Sequence, residues 1–223
     1  MTDYVLVHGA WLGGWSYDRL AADLREAGHR VMVAQLAGLG SRSKELNPAI
    51  DLSVHVADVL ALTKAAGFDR FVLAGHSYGG MIITGVATML GARIDALVYI
   101  DAFLPGDGQS LWDITGQWDH DWYINGQKDA PGLIKPLPGL PDPRAGRHPL
   151  LTLLEPVHFT GEEAKVPRKI YIFASGWQPT PFNRFSDKVK GDPTWEYHAL
   201  DATHDVMGTQ PERLLAIMLT CAK

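Results

Sequence analysis

The chain has 223 residues, 46% of them hydrophobic and 20% charged, a balance that suits one globular domain with a sizeable core. A formal net charge of −5, with no cluster of Lys and Arg, excludes a basic footprint for nucleic acid or a membrane surface. A single cysteine, Cys221, excludes an internal disulfide, and no apolar run is long enough for a transmembrane helix.

Met1-Thr2-Asp3 leads straight into an apolar run, so no signal peptide is expected and the cytoplasm is the expected compartment. Residues 4–7 read as a short buried strand that ends at His8-Gly9. Residues 15–27 have helical spacing, with Tyr17, Leu20, Leu24 and Ala27 on one side and Gly28 as the stop. A strand is expected at 30–36, then a Gly/Ser loop over 38–47. Residues 54–66 read as a helix that ends at Gly67, with Asp51 or Ser53 as its N-cap. A strand at 71–74, a buried helix at 80–89 and a strand at 96–100 follow. The last strands fall at 169–173 and 195–200, and a helix at 211–220 carries Pro211 in its first turn. Strands separated by helices imply βαβ units, hence an α/β fold with a mostly parallel sheet flanked by helices.

Residues 106–166 break that rhythm. They carry Trp112, Trp118, Trp122 and Tyr123, and the proline-rich run 131–149 cannot join a central sheet. The stretch is too aromatic for a disordered linker, so it reads as a small cap inserted in a single domain over 1–223. Most of its aromatics should fill the cap's own core. Trp112, with Trp11 and Phe103 outside the cap, are the candidates to line a substrate cavity.

The chemistry is announced by Gly75-His76-Ser77-Tyr78-Gly79, between the 71–74 strand and the 80–89 helix. This is the Gly-x-Ser-x-Gly pattern in which a serine stands on a tight strand-to-helix turn, clear of the sheet edge. The alternative is a glycine-rich turn whose serine only caps the helix. The strand–turn–helix context favours the nucleophile. A serine hydroxyl needs a base, and of nine histidines His204 follows the last strand, where this order of elements puts it. A tetrahedral intermediate needs two aimed N–H donors: Tyr78 follows the nucleophile, and Ala10 lies in the loop after the first strand. No pair of histidines has a metal-binding spacing with a carboxylate or cysteine, and no cofactor is implied.

With these residues in hand, Val5 to Trp15 (VLVHGAWLGGW), the elbow, Tyr99-Ile100-Asp101-Ala102-Phe103-Leu104-Pro105 and His204-Asp205-Val206-Met207 resemble the α/β-hydrolase superfamily. They are most similar to the branch that holds plant methyl esterases, hydroxynitrile lyases and many bacterial esterases. The resemblance covers nearly the whole chain. It implies Ser77 as nucleophile, His204 as base, and Ala10 and Tyr78 as oxyanion donors. The lyases of that branch carry a threonine where this chain has Gly9 and a lysine where it has Asp205. An anion at Asp205 cannot stabilise a departing cyanide, so the resemblance implies an esterase rather than a lyase.

The acid departs from the branch's pattern, which would put it in Phe173-Ala174-Ser175-Gly176-Trp177-Gln178-Pro179; there Trp177 stands instead. Some haloalkane dehalogenases place the acid at the end of the preceding core strand, where this chain has Asp101. Asp101 is therefore the expected acid, with Asp187, Asp201 or a dyad without an acid as alternatives. Dehalogenation itself is excluded by Ser77, since those enzymes use an aspartate there. The function expected is cleavage of a small carboxylic ester through an acyl-enzyme. A ligand-binding or signalling protein on the same scaffold is the alternative, ahead of a lyase or an acyltransferase. The expected partner is a small-molecule ester, with neither nucleic acid nor membrane; a homodimer stays open.

Overall fold

The computed structural model describes residues 1–138, 140 and 142–222; Gly139 and Pro141, in the expected cap, and Lys223 lie outside them. Six strands form one sheet: β1 (Asp3–Val7), β2 (Arg30–Val33), β3 (Phe71–His76), β4 (Ile94–Ile100), β5 (Lys169–Ala174) and β6 (Glu196–Leu200). Their order is β2-β1-β3-β4-β5-β6, and every neighbouring pair is parallel. A parallel sheet needs crossovers, and the connections between its strands carry the helices α1 (Asp18–Glu26), α2 (Leu52–Ala65), α3 (Gly79–Leu90), α4 (Gln117–Asn125) and α5 (Asn183–Val189), while α6 (Pro211–Leu219) follows the last strand. α4 belongs to the segment between β4 and β5.

Side-chain alternation divides the core in two. Tyr4, Leu6, Val72, Ala74, Val98, Ile170 and Ile172 face α1 and α6, with Leu20, Leu24, Leu214 and Met218 packed on them. Val5, Val7, Leu73, Leu97, Tyr99 and Tyr171 face the other way, onto Val56, Val59, Met81, Ile82 and Val86 of α2 and α3. The inner strands β1, β3, β4 and β5 are buried on both faces nearly throughout, so they read as almost unbroken apolar runs. Among the described residues, no helix is long and apolar enough to cross a membrane.

The sequence reading differs from the structure at several element ends. The first helix begins as a 3-10 turn, Gly14–Tyr17, before α1 proper. β2 stops at Val33, and the Gly/Ser loop holds a 3-10 segment, Gly40–Glu45. Asp51 is the N-cap of α2, accepting from Val54 N at 3.0 Å. Ser53 is engaged elsewhere, its N–H donating to Glu155 Oε2 at 2.7 Å. α5 and the single turn Val206–Thr209 were not anticipated. Between β4 and β5 the chain makes α4, short helical turns and a two-residue antiparallel ladder, Leu133–Ile134 on His148–Pro149, and adds nothing to the main sheet.

Candidate active site

The C-terminal ends of β1, β3, β4 and β6 deliver the site, as expected where parallel strands release their chain at one edge. Ser77 sits between β3 and α3 with φ +54°, a left-handed conformation that costs a side-chain-bearing residue about 1–3 kcal/mol. Backbone contacts hold it there. Ser77 N donates to Ile100 O at 3.3 Å, and Ser77 O accepts from Gly80 N at 3.0 Å and Phe103 N at 3.1 Å. A Cβ on Gly75 would lie 2.6 Å from Gly79 O, and one on Gly79 would lie 2.6 Å from Val7 O. The two glycines of the motif are therefore steric requirements of the turn.

His204 follows β6, and its Nδ1 lies 2.7 Å from Asp101 Oδ2. Asp101 is fully buried at the end of β4, whereas the His204 side chain is 28% exposed. The other carboxylate contacts are Ala174 N to Oδ1 at 3.1 Å and Trp177 Nε1 to Oδ2 at 3.1 Å. Asp187 and Asp201 are exposed on the surface. The imidazole of His204 lies in a cage of rings: Phe182 at 4.9 Å and nearly parallel, Trp177 at 5.1 Å, His76 at 4.5 Å.

Ala10 and Tyr78 are buried, and among the described residues neither backbone N–H donates to another protein group. Buried amides without partners are uncommon and mark a place where an acceptor belongs. Trp11, next to Ala10, is held on three sides by the segment between β4 and β5. Its N–H donates to His148 Nδ1 at 3.4 Å, its indole N–H to Ile134 O at 3.2 Å, and its carbonyl accepts from Gly146 N at 2.9 Å. Trp11, Ser77 and Asp101 are the non-glycine residues with positive φ among the described residues, and all belong to this one site. Strain gathered in this way marks a functional centre.

Four buried histidines surround the loops, and their partners fix each tautomer. His8 Nδ1 donates to Gly9 O at 2.9 Å, and His76 Nε2 donates to His204 O at 2.8 Å. His55 donates from Nε2 to Ala37 O and accepts Tyr78 O–H at Nδ1, both at 2.9 Å. His148 donates from Nε2 to Thr152 Oγ1 at 2.7 Å, which leaves Nδ1 free to take the Trp11 N–H. Burial lowers the pKa of each: His8 to about 4, His55 below its usual range, and His76 and His148 well below it. For His76 the neighbouring His204 adds to that effect.

A cavity of about 720 Å³ opens at Ser77 and His204. Gly9, Ala10, Trp11, Trp15, Trp177 and Met207 line it, together with Leu137, Pro138 and Leu140 from the segment between β4 and β5. Trp11 is thus in the lining, but Phe103 and Trp112 are not. Phe103 is turned into an aromatic cluster with Phe182 and Phe185, and Trp112 stacks on His120 at 3.8 Å. Sequence reasoning missed the ring cage around His204 and the contact of Trp177 with Asp101. The absence of a carboxylate at Trp177 was the one available signal.

Comparison with known proteins agrees with this architecture. A profile described as "Alpha/beta hydrolase family" matches residues 4–217. A protein of Nocardioides sp. (strain SG-4G), named carbendazim hydrolyzing esterase, is 36% identical over 234 residues, covering 96% of this chain and 97% of its own. Methyl jasmonate esterase 1 of Vitis vinifera is 31% identical over 109 residues, covering 48% of this chain and 42% of its own. Among solved structures, an extracellular alpha/beta-hydrolase from a Paenibacillus species superposes with a TM-score of 0.84 at 22% identity, covering 99% of both chains.

Proposed function

The chain belongs to the alpha/beta hydrolase family, and from that premise we propose that it is a serine esterase acting on small carboxylic esters. The observation that carries this reading is the 2.7 Å contact between His204 Nδ1 and the buried Asp101 carboxylate, beside a strained serine in the same cavity. In the mechanism this supports, Ser77 Oγ attacks the ester carbonyl while His204 Nε2 takes its proton. Asp101 holds the Nδ1–H tautomer and stabilises the imidazolium that forms. The Ala10 and Tyr78 N–H groups receive the oxyanion. His204 then protonates the departing alcohol, and water, activated by the same base, releases the acid and restores Ser77.

The segment 106–166 acts in this reading as a cap within one domain, a role supported by Leu137, Pro138 and Leu140 in the cavity lining. Carbendazim joins aryl and methyl esters in the substrate panel because of the Nocardioides relative's name. A lyase role is disfavoured. A side chain on Gly9 would meet His76 Nδ1 and the Ser77 Cβ at 3.1 Å, and Asp205 brings a negative charge to the cavity wall.

A fluorophosphonate probe tests the proposal. Labelling of the native protein, lost on heating and in Ser77→Ala, is the expected result. Native protein that takes no Ser77-dependent label would leave the binding or signalling alternative in its stead.

A further inference from the structure

The Asp101 carboxylate is fully buried, so its three donors replace the water it would otherwise have. Oδ1 receives Ala174 N–H, a backbone group fixed by β5. Oδ2 receives two: His204 Nδ1 at 2.7 Å and Trp177 Nε1 at 3.1 Å. The first of these is the group whose charge changes. Among the described residues, the second is the one other side-chain donor to Oδ2, and its ring also lies against the His204 ring at 5.1 Å. A neutral donor on a carboxylate draws away part of the charge that would otherwise favour an imidazolium.

We propose that Trp177 is a positioning residue for the Asp101–His204 pair, whose indole N–H fixes the direction of Oδ2 and sets the pH at which His204 becomes a free base. The proposal rests on the serine-esterase reading only for its kinetic readout.

The other titratable or charged groups around the pair have separate partners. His76, from the elbow, is neutral and donates to His204 O; Tyr171, from β5, donates to Ala102 O. Burial, and then the Asp101 charge, hold that phenol protonated. Asp205 accepts Gly208 N–H at 3.0 Å. Elsewhere in the cavity lining Arg144 pairs with Asp142 and also feels the charge of Asp18, and Arg19 pairs with Glu212 and Asp23. Replacing the indole leaves all of these in place.

Two changes at position 177 separate the N–H from the ring: Trp177→Phe, and incorporation of 3-benzothienylalanine, an indole isostere with sulfur in place of N–H. The readout is the pH midpoint of the His204 ring by NMR, with the acid limb of kcat/KM beside it. Without the N–H, Oδ2 keeps more charge, His204 holds its proton to higher pH, and both midpoints rise by about one pH unit. KM changes little. A folded variant, with either replacement, whose His204 midpoint is unchanged or lower overturns the proposal. The isostere keeps the ring's packing, so the test survives if Trp177→Phe does not fold. The NMR titration needs no turnover, so failure of the esterase reading would show as absent fluorophosphonate labelling and leave this result separately readable.

Discussion

Ser77 and His204 meet in one cavity but are held there by opposite means. The serine is fixed by backbone: strand register, three main-chain hydrogen bonds and glycines where any Cβ would run into a neighbouring carbonyl. The histidine stands on a half-exposed loop, and side chains hold its ring: a carboxylate 103 positions away in sequence, plus Phe182, Trp177 and His76. The elbow is consequently inseparable from the fold, whereas His204, the proposed base, is adjustable. Substitutions around Ser77 should damage folding, and those around His204 should damage chemistry alone.

That contrast can be broken at several points. The largest effect is expected for Ser77→Ala and His204→Ala, each losing on the order of 10⁶ in ester turnover, with the double variant scarcely worse. Both should keep the parent's circular dichroism and unfolding midpoint; near-normal turnover of an aryl ester by pure Ser77→Ala would end the esterase reading. Next comes Asp101→Asn, which leaves the imidazole in the wrong tautomer and lowers kcat by about 10³ to 10⁴. A smaller loss, in a folded protein, would mean that His204 works as a dyad with Ser77. Gly75→Ala addresses the other half of the comparison. Its Cβ meets main-chain atoms of Gly79 at 2.6 and 2.7 Å, so backbone must move, and a denaturant titration should show a loss of about 3 kcal/mol. The smallest effects belong to Asp187→Asn and Asp201→Asn, both exposed, whose kcat should stay within about tenfold of the parent. A larger drop in either would move the acid away from Asp101.

The same division explains what could be seen in the sequence. The strands and the elbow were legible because parallel strands buried on both faces leave unbroken apolar runs and the turn needs glycine at fixed offsets. α5 was hidden behind Pro179-Thr180-Pro181, which punctuates the chain just before it. Phe103 and Trp112 were expected in the cavity because they are large aromatics near the strand ends, but irregular chain carries no period from which a side chain's direction can be read. The indole of Trp177 meets Asp101 across 76 residues, a contact that depends on the packing of β4 beside β5.

The neutral histidines bring a consequence of proton bookkeeping. His8, His55, His76 and His148 are kept unprotonated when folded, but an unfolded chain binds a proton at each near pH 6.5. Below that pH the unfolded state holds more protons than the folded one, so stability falls as acidity rises. The fall begins near the unfolded value and, for His8, continues to its folded value of about 4, a span worth roughly 3 kcal/mol. Four such groups compete with a whole domain's stability of about 5–15 kcal/mol. The protein therefore carries its acid limit in the buried histidines around the Ser77 cavity, where His148 also steadies Trp11 beside Ala10.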